Sequence, residues 1–214
     1  MKCDKHTMLL YAVTDRAWTG PMTLLQQAEA ALQGGVTCLQ LREKHLEDDA
    51  LLAEAREMAA LCRRYRVPFI VNDRVDIALA CGADGVHVGQ EDMEVSAVRR
   101  MAGDKLMVGV SAHTVEEAVR AARGGADYLG LGAVFSTSTK ADAGAMSRDT
   151  LKAICQAVDL PKVAIGGISA KNILELSGSG VDGVAVVSAI FAQPHPGAAA
   201  KCLRALAEEL TAHG

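Results

Sequence analysis

The chain of 214 residues is short of several things, and each shortage excludes a class of protein. Aromatic residues make up only 3% (one Trp, three Tyr and three Phe), so the stacking platforms that hold single-stranded nucleic acids are scarce. Lys and Arg (22) do not outnumber Asp and Glu (26), and the net charge is -4, whereas a binder of polyanions usually carries a basic excess or stripe. Apolar runs are short and broken by Gly or charge, so none is long enough to span a bilayer. Met1-Lys2-Cys3-Asp4 does not lead into the apolar segment a signal peptide needs. The six cysteines, Cys3, Cys38, Cys62, Cys81, Cys155 and Cys202, contain no CxxC pair, a pattern of reduced, mostly buried thiols rather than of a disulfide frame or zinc site. GxGxxG after the first strand and GxxxxGK[ST] are both absent, which removes the dinucleotide and P-loop fingerprints. The expectation is one cytoplasmic domain over residues 1–214, half hydrophobic, with neither nucleic acid nor membrane as partner.

What is present alternates between two textures. Short aliphatic or β-branched runs occur at Met8–Thr14, Cys38–Arg42, Pro68–Asn72, Gly85–Gly89, Met107–Ser111, Tyr128–Phe135, Lys162–Gly166 and Gly183–Ser188. Between them, apolar residues recur with helical spacing over Leu24–Leu32, Asp48–Arg64, Val95–Met101, Thr114–Arg123, Arg148–Val158, Lys171–Ser179 and Gly197–Ala212, with a short helical turn at Val75–Cys81. Eight strand-like runs, each followed by a helix-length segment, repeat at about 27 residues, enough for a strand, a crossover and two tight loops. Near-continuously apolar strands alternating with helices read as a parallel sheet covered by helices. Eight units favour an α/β fold of the (β/α)8 TIM-barrel type over an open doubly wound sheet. Gly82-Ala83-Asp84, Gly125-Ala126-Asp127 and Gly180-Val181-Asp182 each stand where a helix gives way to a strand; glycine at a helix C-terminus accounts for them as scaffolding.

In such a barrel the C-terminal strand ends and the loops after them build the site, and here those ends are polar. A period of two puts Gln40, Arg42 and Lys44 on one face, opposite Leu39 and Leu41; pairing of Arg42 and Lys44 with Glu43 and Glu47 is the plainer alternative. Asn72-Asp73 ends the third run, and Asp92 follows the fourth. Two carboxylates from adjacent strands suit a hard divalent cation completed by water and substrate phosphate, although either Asp alone reads equally as a helix N-cap. Ser136, Thr137, Ser138, Thr139 and Lys140 cluster hydroxyls and a point charge suited to phosphate, and residues 140–147 fit a closing loop. Gly167 lets a main chain approach an anion, and with Val187 and Ser188 it lies on the loops that bind phosphate in many barrels. His87 reads as a hydrogen-bonded interior residue and His113 as a supporting one. Tyr11, Asp15 and Trp18 flank the site with no assigned role.

These stretches carry a resemblance that covers the chain nearly end to end. YAVTD (11–15), QLREK (40–44), VNDRVDIA (71–78), GADGVHVGQED (82–92), GVSAHT (109–114), GADYLGLGAVFSTSTK (125–140), AIGGI (164–168) and GVAVVSAI (183–190) resemble the thiamine phosphate synthases. The resemblance implies a Mg²⁺-dependent transferase that joins a pyrimidine diphosphate to a thiazole phosphate and releases diphosphate. It implies that Gln40, Arg42, Lys44, Asn72, Ser111 and Lys140 hold the pyrimidine diphosphate, with Arg42, Lys44 and Lys140 stabilising the leaving group. It gives the metal to Asp73 and Asp92, and the thiazole phosphate to Thr137, Thr139, Gly167, Val187 and Ser188. The partners are then two small molecules, with assembly into a homo-oligomer left open. Ala133 and Ser136 stand where the family often has Pro. Ala133 also stands where the related thiazole tautomerases place a catalytic His. A tautomerase-like barrel and a non-catalytic phosphate-binding barrel are the alternatives.

Overall fold

The apolar runs become eight short parallel strands in a computed structural model that describes residues 3–136 and 146–212. They are β1 (Leu10–Val13), β2 (Cys38–Leu41), β3 (Phe69–Asn72), β4 (Gly85–Val88), β5 (Met107–Ala112), β6 (Tyr128–Gly132), β7 (Lys162–Ile165) and β8 (Gly183–Val186). Each pairs with the next, and β8 returns to β1 through Leu10–Val184, so the sheet closes into a barrel. The helices are α1 (Leu24–Gln33), α2 (Asp48–Tyr65), α3 (Val75–Cys81), α4 (Val95–Ala102), α5 (Val115–Gly124), α6 (Arg148–Ala157), α7 (Ser188–Phe191) and α8 (Pro196–Ala212). The (β/α)8 TIM barrel expected from the alternation is the fold observed.

Local chemistry sets the helix starts. Thr23 accepts from the Gln26 N–H while the Gln26 side chain reaches back to Thr23, a reciprocal cap for α1. Thr114 and Ser147 cap α5 and α6 in the same way on one side. On α2, Leu51, Ala55, Met58, Ala59 and Cys62 form the buried stripe, and each large side chain so buried contributes roughly 1.5–3 kcal/mol.

Some predicted elements are shorter than expected, the sixth strand among them, which ends at Gly132 rather than Phe135. Lys171–Ser179 keeps only a 3₁₀ turn at Ile173–Leu176. Asn172 folds its amide back to accept from the Ser169 N–H (2.8 Å) and donate to the Gly167 carbonyl (2.9 Å), which uses up the groups that would start a longer helix. The eighth strand stops at Val186, because Val187 turns (φ -115°, ψ -85°) to start α7 at Ser188.

The Gly-x-Asp repeats do more than end helices. Asp84, Asp127 and Asp182 each donate their N–H to a carbonyl of the preceding strand's first residue and accept that residue's N–H on the carboxylate. The pairs are Asp84 with Phe69, Asp127 with Val108, which lies one residue inside β5, and Asp182 with Lys162. Thr37 does the same to Leu10 with a hydroxyl. One such staple precedes every even-numbered strand, so the barrel is four copies of a two-strand unit.

Strand alternation produces two cores. One lies between strands and helices. The other fills the barrel and includes Met8, Tyr11, Cys38, Ile70, Met107, Tyr128 and Val163.

Candidate active site

The C-terminal strand ends enclose a cavity of about 140 Å³. Gln40 from β2, Arg42 just after it, Asn72 from β3 and Ser111 from β5 line one arc; Gly167, Val187 and Ser188 line the arc after β7 and β8. Seven of the residues expected from the sequence are thereby brought to one space. Thr137, Thr139 and Lys140 lie outside the described residues.

Arg42 follows the last strand residue, yet its N–H donates to the Thr14 hydroxyl (3.0 Å) while the Thr14 N–H donates to the Gln40 carbonyl (2.9 Å). This pair continues the β1–β2 ladder by one step and holds the Arg42 backbone at the cavity. The period of two ends there. Lys44 lies in a bend beyond β2, exposed, and is not part of the cavity wall, so the strand-face argument does not extend to it. The alternative pairing with Glu43 is also not what forms: the Arg16 guanidinium takes Glu43 (3.1 Å) and Glu54 (2.6 Å). Among the described residues Arg42 and Lys44 make no ion pair.

Asp73 and Asp92 meet. Asp73 sits at φ 61°, held there by its N–H donating to the His87 carbonyl (2.8 Å) and by the Asn72 amide on its carboxylate (2.5 Å). Asp92 folds back to accept from the Gly89 N–H at 2.7 Å, where a side chain on residue 89 would approach the carboxylate to 2.9 Å. Neither Asp caps a helix; Arg74 and Glu94 occupy those positions. Burial pushes the Asp73 carboxyl up to about 6, the hydrogen-bonded Asp92 carboxyl adds to the rise, and Lys44 and Arg42 oppose it. Two carboxyls in contact lack positive charge between them, and the donor set is hard oxygen; that fits a small divalent cation which keeps waters and takes substrate oxygens. Among the described residues no group of three or more His, Cys, Asp or Glu gathers as a metal cage.

Gly167 has a reason beyond the anion. Its φ is 64°, and a Cβ there would lie 2.4 Å from the Ser136 carbonyl oxygen and 2.9 Å from the Phe135 Cβ. The loop after β6 packs directly on this main chain.

Sequence reasoning left Tyr128 unremarked and Tyr11 without a role. Both are buried, Tyr11 against the cavity and Tyr128 behind it, their hydroxyls 2.8 Å apart, and burial raises both phenols well above their ordinary range. His87 bridges Tyr128 (3.2 Å) and Ser111 (3.0 Å), the interior hydrogen-bonded position anticipated for it. His113 lines the cavity with Nδ1 on the Gly132 carbonyl (2.5 Å). Asp15 caps the turn Arg16–Trp18, and the Trp18 carbonyl is held by Gln27. The signal that could have found Tyr128 is a phenol inside an apolar strand; glycines make room for it and for its partner, since a Cβ on Gly109 would fall 2.1 Å from the Tyr128 ring, and one on Gly130 3.1 Å from His87.

The thiamine monophosphate synthase family matches residues 10–190. A thiamine-phosphate synthase of Chloroflexus aurantiacus is 52% identical over 92% of this chain and 91% of its own length. One of Ruminiclostridium cellulolyticum is 48% identical over 89% and 90%. The solved thiamine phosphate pyrophosphorylase of Pyrococcus furiosus superposes with a TM-score of 0.89 at 37% identity, covering 96% of this chain and 98% of the other. A match of this extent, on a barrel whose strand ends carry the polar set described above, means that the chain belongs to the thiamine monophosphate synthase family, and it is a transferase.

Proposed function

We propose that this chain condenses 4-amino-2-methyl-5-(diphosphooxymethyl)pyrimidine with 4-methyl-5-(2-phosphooxyethyl)thiazole, giving thiamine phosphate and diphosphate with Mg²⁺ as cofactor. The observation that carries the reading is the division of one cavity into two arcs. Arg42, Asn72, Gln40 and Ser111 lie on one, close to the Asp73–Asp92 pair, and Gly167, Val187 and Ser188 on the other. Two anionic ligands in one space is what a diphosphate and a monophosphate require.

In this reading the pyrimidine methylene C–O bond breaks with its electron pair leaving on diphosphate, and the thiazole nitrogen donates its pair to form the new C–N bond. Arg42, with Lys44 and Lys140, supplies positive charge where the leaving group gains negative charge. Asp73 and Asp92 would hold Mg²⁺, which when bound neutralises diphosphate charge as a Lewis acid. Gln40, Asn72 and Ser111 orient the pyrimidine, while Thr137, Thr139, Ser188 and the main chain at Gly167 and Val187 hold the thiazole phosphate. Val13, Val163, Ile165 and Ala185 wall the cavity and keep water from capturing the cation. No nucleophilic side chain takes part. The whole of 1–214 acts as one unit, and the free state of all six cysteines supports a reducing cytoplasmic setting. No helix among the described residues is long and apolar enough to cross a membrane.

The test is an assay with both substrates and Mg²⁺ that follows thiamine phosphate and diphosphate together. Equal appearance of both, abolished by chelator, is expected. Absence of product from a folded protein that still binds the thiazole phosphate would move the reading to a tautomerase or a binding barrel.

A further inference from the structure

Beneath the cavity a single line of hydrogen bonds crosses the barrel. Gln40 Nε2 stands 2.8 Å from the Tyr11 hydroxyl, Tyr11 2.8 Å from the Tyr128 hydroxyl, Tyr128 3.2 Å from His87 Nδ1, and His87 Nε2 3.0 Å from Ser111 Oγ. Five residues from β1, β2, β4, β5 and β6 take part, and the two ends, Gln40 and Ser111, are both cavity-lining side chains. Glycines at 109 and 130 leave the space in which the phenol and the imidazole sit.

Donor and acceptor chemistry gives the line a direction. An amide NH₂ only donates, so Tyr11 accepts from Gln40 and has one hydrogen left to give. The Cys38 thiol also borders that hydroxyl, but sulfur is a weak acceptor, and the Tyr128 oxygen at 2.8 Å takes the hydrogen. Tyr128 in turn gives its hydrogen to His87 Nδ1. With Nδ1 accepting, the imidazole that carries a proton on Nε2 donates to Ser111, whose own hydrogen is left for the cavity.

We propose that Tyr11, Tyr128 and His87 are positioning residues: a one-way hydrogen-bond chain, starting at Gln40, that fixes the Ser111 hydroxyl as a donor to the bound ligand. The ligand group this selects is a hydrogen-bond acceptor, and an aromatic ring nitrogen is one that fits. On the synthase reading, on which this clause rests, that group belongs to the pyrimidine. A ligand presenting a hydrogen at the same point finds no use for the Ser111 hydrogen and loses that bond.

The polarity is read directly in ¹⁵N-histidine-labelled, ligand-free protein, with the His87 signals identified by their loss in His87→Gln. The expected result is an unprotonated Nδ1 and a protonated Nε2. Protonation of Nδ1, alone or together with Nε2, overturns the proposal whether or not the protein makes thiamine phosphate. The stated tautomer in a protein that makes no product sinks the synthase reading instead and leaves the chain standing. Tyr128→Phe keeps the ring and removes the donor to Nδ1. It should mix the His87 tautomers and raise KM for the pyrimidine diphosphate about tenfold, with kcat falling less than threefold and KM for the thiazole phosphate within twofold of wild type. Equal rises in both KM values would mean general distortion and count against the chain.

Discussion

Asp73 holds a left-handed backbone conformation at φ 61°, which Asn and Asp tolerate far better than Ala or branched residues. Asp73→Asn therefore removes the charge and keeps the loop, which makes it the cleaner probe of the carboxyl. The sign of its pH dependence follows from its surroundings. Burial and the Asp92 carboxyl raise Asp73 to about 6, above its unfolded value of about 4. Without metal, its contribution to folding is therefore complete below about 4 and lost as pH rises through 6. Metal binding needs the ionised form. Mg²⁺ affinity should fall about tenfold per unit below pH 6, with protons released on binding. Calorimetric titration with Mg²⁺ at pH 5 and pH 7.5, in buffers of different ionisation enthalpy, checks this; equal affinities with no proton release would place the ion elsewhere. Arg42 is a separate case, a cation that makes no ion pair among the described residues. Arg42→Ala should lower kcat/KM by about 10²–10³, and steady-state rates within threefold of wild type would take Arg42 out of the site.

At the scale of the element, the staples at Thr37, Asp84, Asp127 and Asp182 set where each odd strand begins. Glycine and aspartate in that order were legible as a repeat, and the helix-ending role of glycine followed from its freedom at positive φ, as at Gly82 and Gly125. The carboxylate's task was not legible, because its partner lies 15 residues earlier for Asp84 and 19 for Asp127. A part-buried strand N–H left without its acceptor costs about 1–3 kcal/mol. Asp84→Ala should lose about that much stability in a urea titration, with KM values unchanged since Asp84 is at the opposite end of its strand from the cavity. A midpoint shift too small to measure would mean that water replaces the carboxylate. Elements also failed to follow their pattern where side chains competed with the main chain. Asn172 shortened one predicted helix in this way, and the turn at Val187 cut a strand short.

Over the whole molecule, closure is made by β8 against β1 and is sealed outside by α8 on α1. There Gly34 and Gly197 let two backbones touch: a Cβ on Gly34 would lie 2.4 Å from the Gly197 carbonyl oxygen. What the sequence by itself determined was the order of elements, the parallel barrel, and the polar character of the strand ends. Those depend on periods of 2 and 3.6 and on Gly, Asp and Ser at element ends, all of which act within a few residues. It also placed Gln40, Arg42, Asn72, Ser111, Gly167, Val187 and Ser188 at the right ends, since a barrel presents every strand's C-terminus to one mouth. Only the tertiary structure decided that Lys44 leaves the strand face, that Asp73 touches Asp92, and that Tyr128 joins Tyr11 to His87. Such contacts depend on how far each strand is staggered against the next when the sheet closes. They depend too on which interior positions lack a side chain, as at Gly109 and Gly130. Stagger is a property of the closed ring of eight strands, and no stretch of sequence contains it.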